Sequence, residues 1–419
     1  MTDEPTPLAN AAPLSREVRL AAACCRWPPG GERDEHVRGL AGEWIDWPLL
    51  LGIVKRQRVV GLVRDALEHA GVEPPPAAAA VLGQISRGIA AKNLKVLGES
   101  VRLEELFRAR CIPVVFLKGV ALARLAYGSI SSKHGRDIDL LVPESFALEA
   151  WSLLEGEGYG LGGGLEGLGP ARRRAVIRYS PELEFIHPGA RLPLDLHWRP
   201  TQNAALFDTS GIWGRTQEVD FGGARRLPTL GDADLFAYLC AHGGLHAWAR
   251  MKWLADVNAV VSGRSPAEVE ALYRAAQALG SGLCAGQALL LCRILFDLQL
   301  PAGLERELRA NRRVQRLVRI ALEVMIGKDG ATEREGLKLS GVSRYLTYLS
   351  LLLLGDSWAY YRAQLKLLSI GAVDVVAWPL PERLHFLYPV ARLPLWIGRV
   401  IFKAAGRDSP QRSGQRGGA

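Results

Sequence analysis

FLKGVALARLAYGSISSKHGRDIDLLVPE, residues 116–144, is the stretch of sequence that decides the fold. One apolar run ends at Lys118 and Gly119, a helix-like segment follows, and Asp137 and Asp139 interrupt the next apolar run. Glycine at the end of a strand permits a tight turn, and a helix that begins there presents free backbone N–H groups to an anion such as phosphate. The stretch therefore predicts a strand, a glycine turn, a helix and a second strand.

The two aspartates indicate a metal site. Successive side chains of a strand point to opposite faces, so Asp137 and Asp139 lie on one face while their apolar neighbours point to the core. Carboxylates a few Å apart repel each other unless a cation lies between them, and Mg²⁺ or Mn²⁺ suits such oxygen ligands. Asp195, in the strand-like run RLPLDLHW, could reach the same site from a neighbouring strand. Three carboxylates can hold two metal ions, the arrangement used for phosphoryl or nucleotidyl transfer.

Other interpretations of these residues stay open at the level of sequence. An isolated Asp-x-Asp is more commonly a solvated strand edge or a turn cap than a metal site, and Lys118 alone would be a surface lysine. Glu182 and Glu184 are rival choices for the third carboxylate. His197 shares a strand face with Asp195, either as a hydrogen-bonding group in the site or as a half-buried histidine.

Composition narrows the class of protein but does not select a ligand. The chain has 419 residues, 48% of them hydrophobic and 23% charged, which predicts more than one globular domain. The formal charge of +9 suits an anionic ligand. Its six cysteines form no CxxC pair, and no secretory or membrane-spanning segment is evident, so we expect reduced thiols and a cytoplasmic protein.

The hydrophobic pattern changes twice along the chain. Helical periodicity, interrupted at WPPGG and PPP, gives way to short β-type runs and then returns. The runs IPVVFL, DIDLLV, ELEFIHP and RLPLDLHW are the predicted strands. We therefore predict five segments: a disordered lead (1–14), a helical N-terminal region (15–110), an α/β or α+β core (111–230), a helical C-terminal domain (231–403) and a disordered basic tail (404–419).

These motifs, in this order, resemble the family of uncharacterised nucleotidyltransferases within the DNA polymerase beta-like superfamily. FLKGVALARLAYG resembles the family's LKG motif, RDIDLLVP its Asp-x-Asp strand, and LPLDLHWRP its acid-Leu-His-Trp strand. Two helical motifs are also similar, IDWPLLLGIVKRQRVVGLV at 45–63 and AHGGLHAWARMKWLADVNAVV at 241–261. The similar pieces extend over much of the chain and are far more specific than a lone Asp-x-Asp.

The resemblance implies a helix-rich α+β protein whose polymerase-beta-like core has a mixed sheet between N-terminal and C-terminal helical regions. It implies metal-dependent transfer of a nucleoside monophosphate from a nucleoside triphosphate such as ATP to a hydroxyl-bearing acceptor, with release of pyrophosphate. Asp137, Asp139 and Asp195 would bind Mg²⁺ or Mn²⁺, and Asp195 would help to remove the acceptor's proton. Gly119 would let the backbone approach the phosphates, and Lys118 would neutralise one of them.

The helical motif at 241–261 is predicted to line the pocket, with His242, His246, Arg250 and Lys252 facing nucleotide or acceptor. His242 and His246 stand four residues apart, a spacing that can hold Zn²⁺, but no third ligand has a recognisable spacing. The alternative for Lys252 is an i,i+4 surface pair with Asp256.

The acceptor is open, with a small molecule, a peptide or a protein as the candidates. Nucleic acid is the less favoured partner, because basic and aromatic residues are not interleaved as in proteins that stack single-stranded bases. One alternative is a nucleotide-binding regulatory or interaction protein without catalysis. Val120, where the superfamily has a small residue, and Leu245, where a Lys often follows His-Gly, favour it, whereas the intact aspartates oppose it. A second alternative is a kinase on the same scaffold.

Overall fold

The computed structural model describes residues 14–135, 137–161, 167–187, 189, 191–223, 225–326, 341–371, 375 and 382–388. In these residues, helices surround a five-stranded mixed sheet and a separate two-stranded sheet. The fold is thus helix-rich α+β, as the sequence predicted. The predicted disordered tail lies outside the described residues, as does the predicted lead apart from residue 14.

The elements follow one another in three groups, helices, strands with helices, and helices again. The helices are α1 (Arg16–Cys24), α2 (Gly31–Ala41), α3 (Trp47–Gln57), α4 (Val60–His69), α5 (Pro76–Ala109), α6 (Val120–Tyr127), α7 (Ala147–Gly156), α8 (Pro170–Tyr179), α9 (Asp232–Leu245), α10 (Met251–Val261), α11 (Pro266–Ala278), α12 (Gly282–Phe296), α13 (Ala302–Ala310), α14 (Arg312–Ile326), α15 (Gly341–Leu353) and α16 (Trp358–Ser369). The strands are β1 (Val115–Phe116), β2 (Ile138–Leu141), β3 (Gly160–Leu161), β4 (Glu182–Ile186), β5 (Pro193–His197), β6 (Thr216–Asp220) and β7 (Arg226–Leu230). Short 3₁₀ helices occupy Glu144–Phe146, Ala204–Leu206, Ile212–Gly214 and Glu382–Leu387.

Proline and capping residues set the helix boundaries of the N-terminal region. WPPGG separates α1 from α2, and PPP separates α4 from α5, so both predicted interruptions are confirmed. Pro76 is the first residue of α5, where its missing N–H leaves no intrahelical bond unmade. The Asp46 side chain accepts a hydrogen bond from the backbone N–H of Leu49 and so caps α3.

The larger sheet has the strand order β1-β2-β5-β4-β3. Strands β2 and β5 are parallel, and the other three pairs are antiparallel. The four predicted runs form β1, β2, β4 and β5, whereas β3 and the β6–β7 hairpin were not predicted. β3 is only two residues long and lies at the start of the glycine-rich stretch 160–169. β6 is largely polar. Neither strand therefore has the apolar alternation by which a strand is recognised.

Apolar residues cover the two faces of this sheet in different ways. Ile138 and Leu140 of β2 belong to a core shared with α5, α7 and α8, which we call the sheet core. Leu141 belongs to a second core, the helical core, which contains residues of α1 to α4 and of α9 to α14. The N-terminal and C-terminal helical segments therefore share one core, and the opposite face of the sheet lies towards it.

Candidate metal and nucleotide site

Acidic side chains line up across three strands on the sheet face that lies towards the helical core. Asp139 of β2 is in register with Asp195 of the parallel strand β5, and Asp195 is in register with Glu184 of β4. His197 and Glu182 form the next pair along β5 and β4. Side chains in register on one face stand close together, so this sheet face concentrates carboxylates.

Asp139 is the most deeply buried of these acids, with 2% of its surface exposed. Its Oδ1 lies 2.9 Å from Lys118 Nζ, while its Oδ2 is buried without a hydrogen-bond partner among the described residues. Burial alone would raise the pKa of Asp139, but the ammonium of Lys118 outweighs burial and holds that pKa below its usual value. Asp139 is therefore an ionised buried carboxylate with one oxygen still unused.

His197 lies between two acids. Its Nδ1 is 2.8 Å from Oε2 of Glu182, and its Nε2 is 3.6 Å from Oδ1 of Asp139. Burial alone would lower the pKa of His197, but the contacts with Asp139 and Glu182 outweigh burial and raise it to about 9. The histidine, which the sequence placed either in the site or in a half-buried position, is buried and within the site.

Asp195 has no single dominant partner. Its pKa depends on several charged neighbours across the acidic sheet face. Burial and the negative charges of Asp139 and Asp137 raise the pKa of Asp195 to about 7. Since a carboxylate this close to neutrality can gain or lose a proton near physiological pH, Asp195 has the protonation behaviour of a general base or of a metal ligand.

One group of side chains has the spacing of a metal site. Asp139, Asp195 and His197 each offer a ligand atom, and these three atoms lie within 4.8 Å of one another. Asp137 does not belong to this group in the described structure, although its charge acts on Asp195. The structure thus joins Asp139 and Asp195 as the sequence predicted, and adds His197 as the third donor.

The predicted glycine turn lies at the start of α6. Gly119 has φ 72° and ψ −133°, a conformation that residues with a Cβ rarely adopt, and α6 begins at the next residue. A Cβ on Gly119 would come 3.7 Å from the carbonyl oxygen of Asp137, so the turn runs beside the start of β2. Val120 is buried in the sheet core, and its side chain therefore does not fill the space at the turn.

The loop between α6 and β2 is held from two sides. The Asn93 side chain of α5 donates hydrogen bonds to the carbonyl oxygens of Ile130 and Lys133, at 2.6 and 2.7 Å. Gly61 of α4 packs so closely that a Cβ there would lie 2.2 Å from the carbonyl oxygen of Ser132. These contacts fix the position of Lys133 at one side of the site.

Basic side chains collect beside this loop, in what we call the basic group: Lys133, His134, Lys252, Arg58 and Lys92. Burial and the positive charges of Lys133 and Arg58 lower the pKa of Lys252 to about 7. Burial and the charge of Lys252 likewise lower the pKa of His134 to about 3. Like charges brought together and partly desolvated are unfavourable, so this group suits an anionic ligand.

Asp256 is the acid that accompanies the basic group. Its carboxylate lies 3.1 Å from Lys133 Nζ and accepts a hydrogen bond of 3.0 Å from the Tyr127 hydroxyl. Asp256 is buried, and it pairs with Lys133 instead of forming the i,i+4 surface pair with Lys252 that was one reading of the sequence. Lys252 instead lies 5.8 Å from the ring of Trp253.

The histidines of α9 pack with aromatic rings. The ring centroids of His242 and His246 are 4.7 Å apart, and each ring also contacts Trp253. Burial and the Lys118 charge lower the pKa of both, that of His246 to about 4. The pair belongs to no group of three or more potential metal ligands in the part of the chain that the structure describes.

Arg250 was also predicted to face the pocket, and Leu245 was singled out because it stands where a Lys often follows His-Gly. The Arg250 guanidinium donates to the backbone carbonyl of Arg56, which links the start of α10 to the end of α3. Leu245 packs against the helical core. Tyr238, which the sequence did not single out, is buried near Lys118 and Asp139, whose charges act on its hydroxyl.

A family model described as uncharacterised nucleotidyltransferase matches residues 43–297, more than half of the 419-residue chain. The chain belongs to this family. The match covers the glycine turn, the acidic sheet face and the helices α9 and α10, so the site elements described above lie within the matched residues. No curated protein matches the chain.

Family membership makes the protein a transferase, and the resemblance read from its motifs is confirmed. A nucleotide substrate follows from the family, and the Asp139, Asp195 and His197 group is a possible site for a divalent metal. As for membranes, none of the described helices has the length and apolar character needed to cross one.

Proposed function

We propose that this protein transfers a nucleoside monophosphate from a nucleoside triphosphate to a hydroxyl-bearing acceptor and releases pyrophosphate. One observation carries the proposal: Asp139 and Asp195 are paired in register on adjacent strands, beside the turn at Gly119. Metal-assisted displacement at phosphorus needs a carboxylate-held cation next to a phosphate site, and these two features are neighbours here.

Mg²⁺ or Mn²⁺ is the metal that we propose, with Asp139 and Asp195 as ligands and Asp137 as a further ligand on the side of the glycine turn. The residues fit such an ion, because Asp139 carries a buried carboxylate oxygen without a hydrogen-bond partner among the described residues. When bound, the ion would neutralise charge on the phosphates and polarise a phosphoryl oxygen.

Asp195 is our candidate for the acceptor's proton. Burial and the charges of Asp139 and Asp137 raise the pKa of Asp195 to about 7 in the metal-free protein, and a bound cation would lower it again, so Asp195 would be ionised and able to accept a proton. The carboxylate of Asp195 would take the proton of the acceptor hydroxyl as the acceptor oxygen attacks the α-phosphorus and pyrophosphate leaves. Neighbouring residues hold Asp195 for this task at the centre of the sheet face.

The basic group is our candidate for the triphosphate. The loop that carries Lys133 and His134 links α6 to β2, so these residues adjoin both the glycine turn and the acidic strand. Lys252 adds a positive charge from α10, and the ammonium of Lys118 pairs with Asp139 on the acidic sheet face. A triphosphate that bridged the metal and the basic group would satisfy both sets of like charges at once.

The acceptor has a candidate position at the carboxyl ends of β2 and β5. A cavity of about 480 Å³ lies beyond these strand ends, next in sequence to His197; its lining includes Trp198, Trp213, Glu144 and Asp208, and an acceptor held there would have to extend its hydroxyl to Asp195, which does not line the cavity. Ligands of open α/β sheets bind outside the carboxyl ends of parallel strands, and β2 and β5 are the parallel pair here. A small molecule or a peptide side chain fits this volume better than a nucleic acid. A cytoplasmic location agrees with six free cysteines, five of them buried.

The test is a calorimetric titration of each nucleoside triphosphate with Mg²⁺, with Mn²⁺ or with a chelator. We expect metal-dependent binding to the wild type and none to the Asp137→Asn/Asp139→Asn double variant. Glu218→Gln removes an exposed carboxylate of β6 and serves as the matched control. A folded wild-type protein that bound no triphosphate would overturn the proposal in favour of a protein without catalysis.

The position of a radiolabel then separates the two chemistries. Candidate acceptors are incubated with the protein and a labelled nucleoside triphosphate. Under the proposal, label on the α-phosphate enters the acceptor and pyrophosphate is released. Label that instead passed from the γ-phosphate, with release of a nucleoside diphosphate, would identify a kinase and contradict nucleotidyl transfer.

A further inference from the structure

On the acidic sheet face, Asp139 is linked to two further side chains, His197 and Glu182, that have no role in the reaction described above. Glu182 Oε2 lies 2.8 Å from His197 Nδ1, and the other ring nitrogen, Nε2, lies 3.6 Å from Asp139 Oδ1. The side chain of His197 is 6% exposed, whereas that of Glu182 is 46% exposed. A half-exposed glutamate thus holds one nitrogen of a buried histidine, and the other nitrogen is directed at the metal-binding carboxylates.

We propose that His197 becomes a metal ligand through Nε2, which releases its proton to solvent when the metal binds, that Glu182 is its positioning residue, and that the site consequently prefers Mn²⁺ to Mg²⁺. This inference rests on the proposed function, because it concerns the same site. Nothing in nucleotidyl transfer itself demands a nitrogen ligand, so the inference concerns this chain's own residues.

The geometry resembles the way in which proteins generally hold a histidine at a metal. A ligating histidine almost always gives its second ring nitrogen to a carboxylate or carbonyl, which fixes the ring and makes the ligating nitrogen more basic. Glu182 occupies that second position on Nδ1, Nε2 lies on the side of Asp139, and a ring nitrogen of His197 belongs to the 4.8 Å group with oxygens of Asp139 and Asp195.

The strand register explains why these residues meet. His197 is in register with Glu182 on the antiparallel neighbour β4 and with Leu141 on the parallel neighbour β2. Because His197 follows Asp195 by two residues, it shares the face of that carboxylate. A histidine at this position therefore faces the metal-binding side for as long as β4 and β5 keep their register.

The mixed donor set has a consequence for the identity of the metal. Mg²⁺ strongly prefers oxygen ligands and keeps much of its water, whereas first-row transition metals accept imidazole readily. A site of two carboxylates and one imidazole therefore discriminates in favour of Mn²⁺ over Mg²⁺. The same site without the imidazole would be a pair of carboxylates suited to either ion.

The experiment measures metal binding alone, with no nucleotide or acceptor. Mn²⁺ and Mg²⁺ affinities are determined by calorimetry for the wild type and for Glu182→Gln, His197→Asn and Glu184→Gln. The magnetic resonance of bound Mn²⁺ is examined for coupling to an imidazole nitrogen. Glu184→Gln is the matched control, because Glu184 lies two residues along the same strand and on the same face but has no contact with His197 among the described residues.

We expect nitrogen coupling in the wild type and its loss in His197→Asn. We expect Glu182→Gln to weaken Mn²⁺ binding by roughly 10- to 100-fold, as loss of an outer partner does at other metal sites, and to change Mg²⁺ binding less. Because Glu182 is half-exposed, its variant should fold even if the buried His197→Asn variant does not. Absence of nitrogen coupling in the wild type, or equal effects of Glu182→Gln and Glu184→Gln, would overturn the inference.

The outcomes also separate this inference from the proposed function. Nitrogen-coupled Mn²⁺ in a protein that binds no triphosphate would uphold the ligand set and refute nucleotidyl transfer. Metal-dependent triphosphate binding without nitrogen coupling would refute His197 as a ligand and leave the metal–nucleotide site of the proposed function standing.

Discussion

The acidic sheet face and the basic group, which we propose as the two halves of one site, differ in how the chain assembles them. The acids come from adjacent strands in fixed register, Asp139 with Asp195 and His197 with Glu182. The basic residues come from unrelated elements, including the α6–β2 loop and α10. Despite this difference, burial and like charges bring the pKa of Asp195 up to about 7 and that of Lys252 down to about 7.

The shifted pKa values of Asp195 and Lys252 indicate the charge of the ligand that each group of residues would bind. Each half lowers its own electrostatic cost by titrating towards neutrality, and each would regain its charge if a ligand of opposite sign were present. A metal ion would compensate the negative charge of the acids, and a polyphosphate would compensate the positive charge of the basic group. A metal–nucleotide complex would therefore compensate both. Asp139 is the exception in the acidic half, because Lys118 and His197 compensate its charge within the protein.

The largest expected effect concerns that exception. If carboxylate repulsion were the only effect, an Asn in place of Asp139 would leave the fold intact or slightly stabilised. The structure changes this expectation: Asp139 holds Lys118 at 2.9 Å, and its removal leaves that ammonium without its carboxylate. Breaking a buried ion pair from one side costs about 3–5 kcal/mol, so we expect a loss of that order in the free energy of urea unfolding.

A double variant tests the reason for that loss. Lys118→Met in the Asp139→Asn background removes the unpaired charge, and most of the stability should return. Equal stability of Asp139→Asn and the wild type would show that the acidic half repels internally as much as Lys118 attracts, and the distinction drawn for Asp139 would fail.

The second prediction concerns pH and Asp195 in the metal-free protein. The folded pKa of about 7 lies above the ordinary value of 3.8, so the unfolded chain ionises first as pH rises. Wild-type stability therefore falls relative to Asp195→Asn between about pH 4 and pH 7 and then keeps a constant difference, on the order of 2–4 kcal/mol. Urea unfolding of both proteins across this range measures the difference, and saturating Mn²⁺ should reverse its sign. A difference independent of pH would contradict the shared charge of the acidic half.

The smallest effect is expected in the basic half. Lys252→Met should weaken triphosphate binding by about 10-fold, the value of one partly screened charge contact, as measured by calorimetry. Lys95→Met, at an exposed position of α5, is the matched control. Lys252→Met should also be more stable than the wild type below pH 7, where the folded wild-type protein must hold a buried charged Lys252. This gain in stability should fade as pH rises towards 10.5. An unchanged triphosphate affinity would exclude Lys252 from the phosphate site.

Much of the fold and half of the site could be predicted because they depend on local patterns. Apolar alternation marked β1, β2, β4 and β5, and proline marked the helix boundaries. The glycine at Gly119 marked the turn, because only glycine adopts its backbone conformation easily. The weakly patterned strands β3, β6 and β7 gave no such signal.

The basic half gave little signal in the sequence. Lys133 pairs with Asp256, 123 residues further along the chain, and the Asn93 side chain holds the α6–β2 loop that carries Lys133. The positions of Lys118 and His197 could be read as site residues or as ordinary surface and half-buried residues, since a strand pattern fixes a face and not a partner. A signal that could have drawn attention to His134 was its place within SKHGRD, directly before the acidic strand.

From the sequence alone, the glycine turn could be predicted from short-range periodicity, and the family and its α+β class from motifs of fixed spacing, whereas Asp195 was one of three candidate partners of Asp139, beside Glu182 and Glu184. Only the tertiary structure decided that Lys118 neutralises Asp139, that Glu182 holds His197, and that Lys252 joins Lys133 and His134. Charge compensation and pKa depend on burial and on distances of a few Å between residues far apart in the chain, and no local pattern encodes those distances.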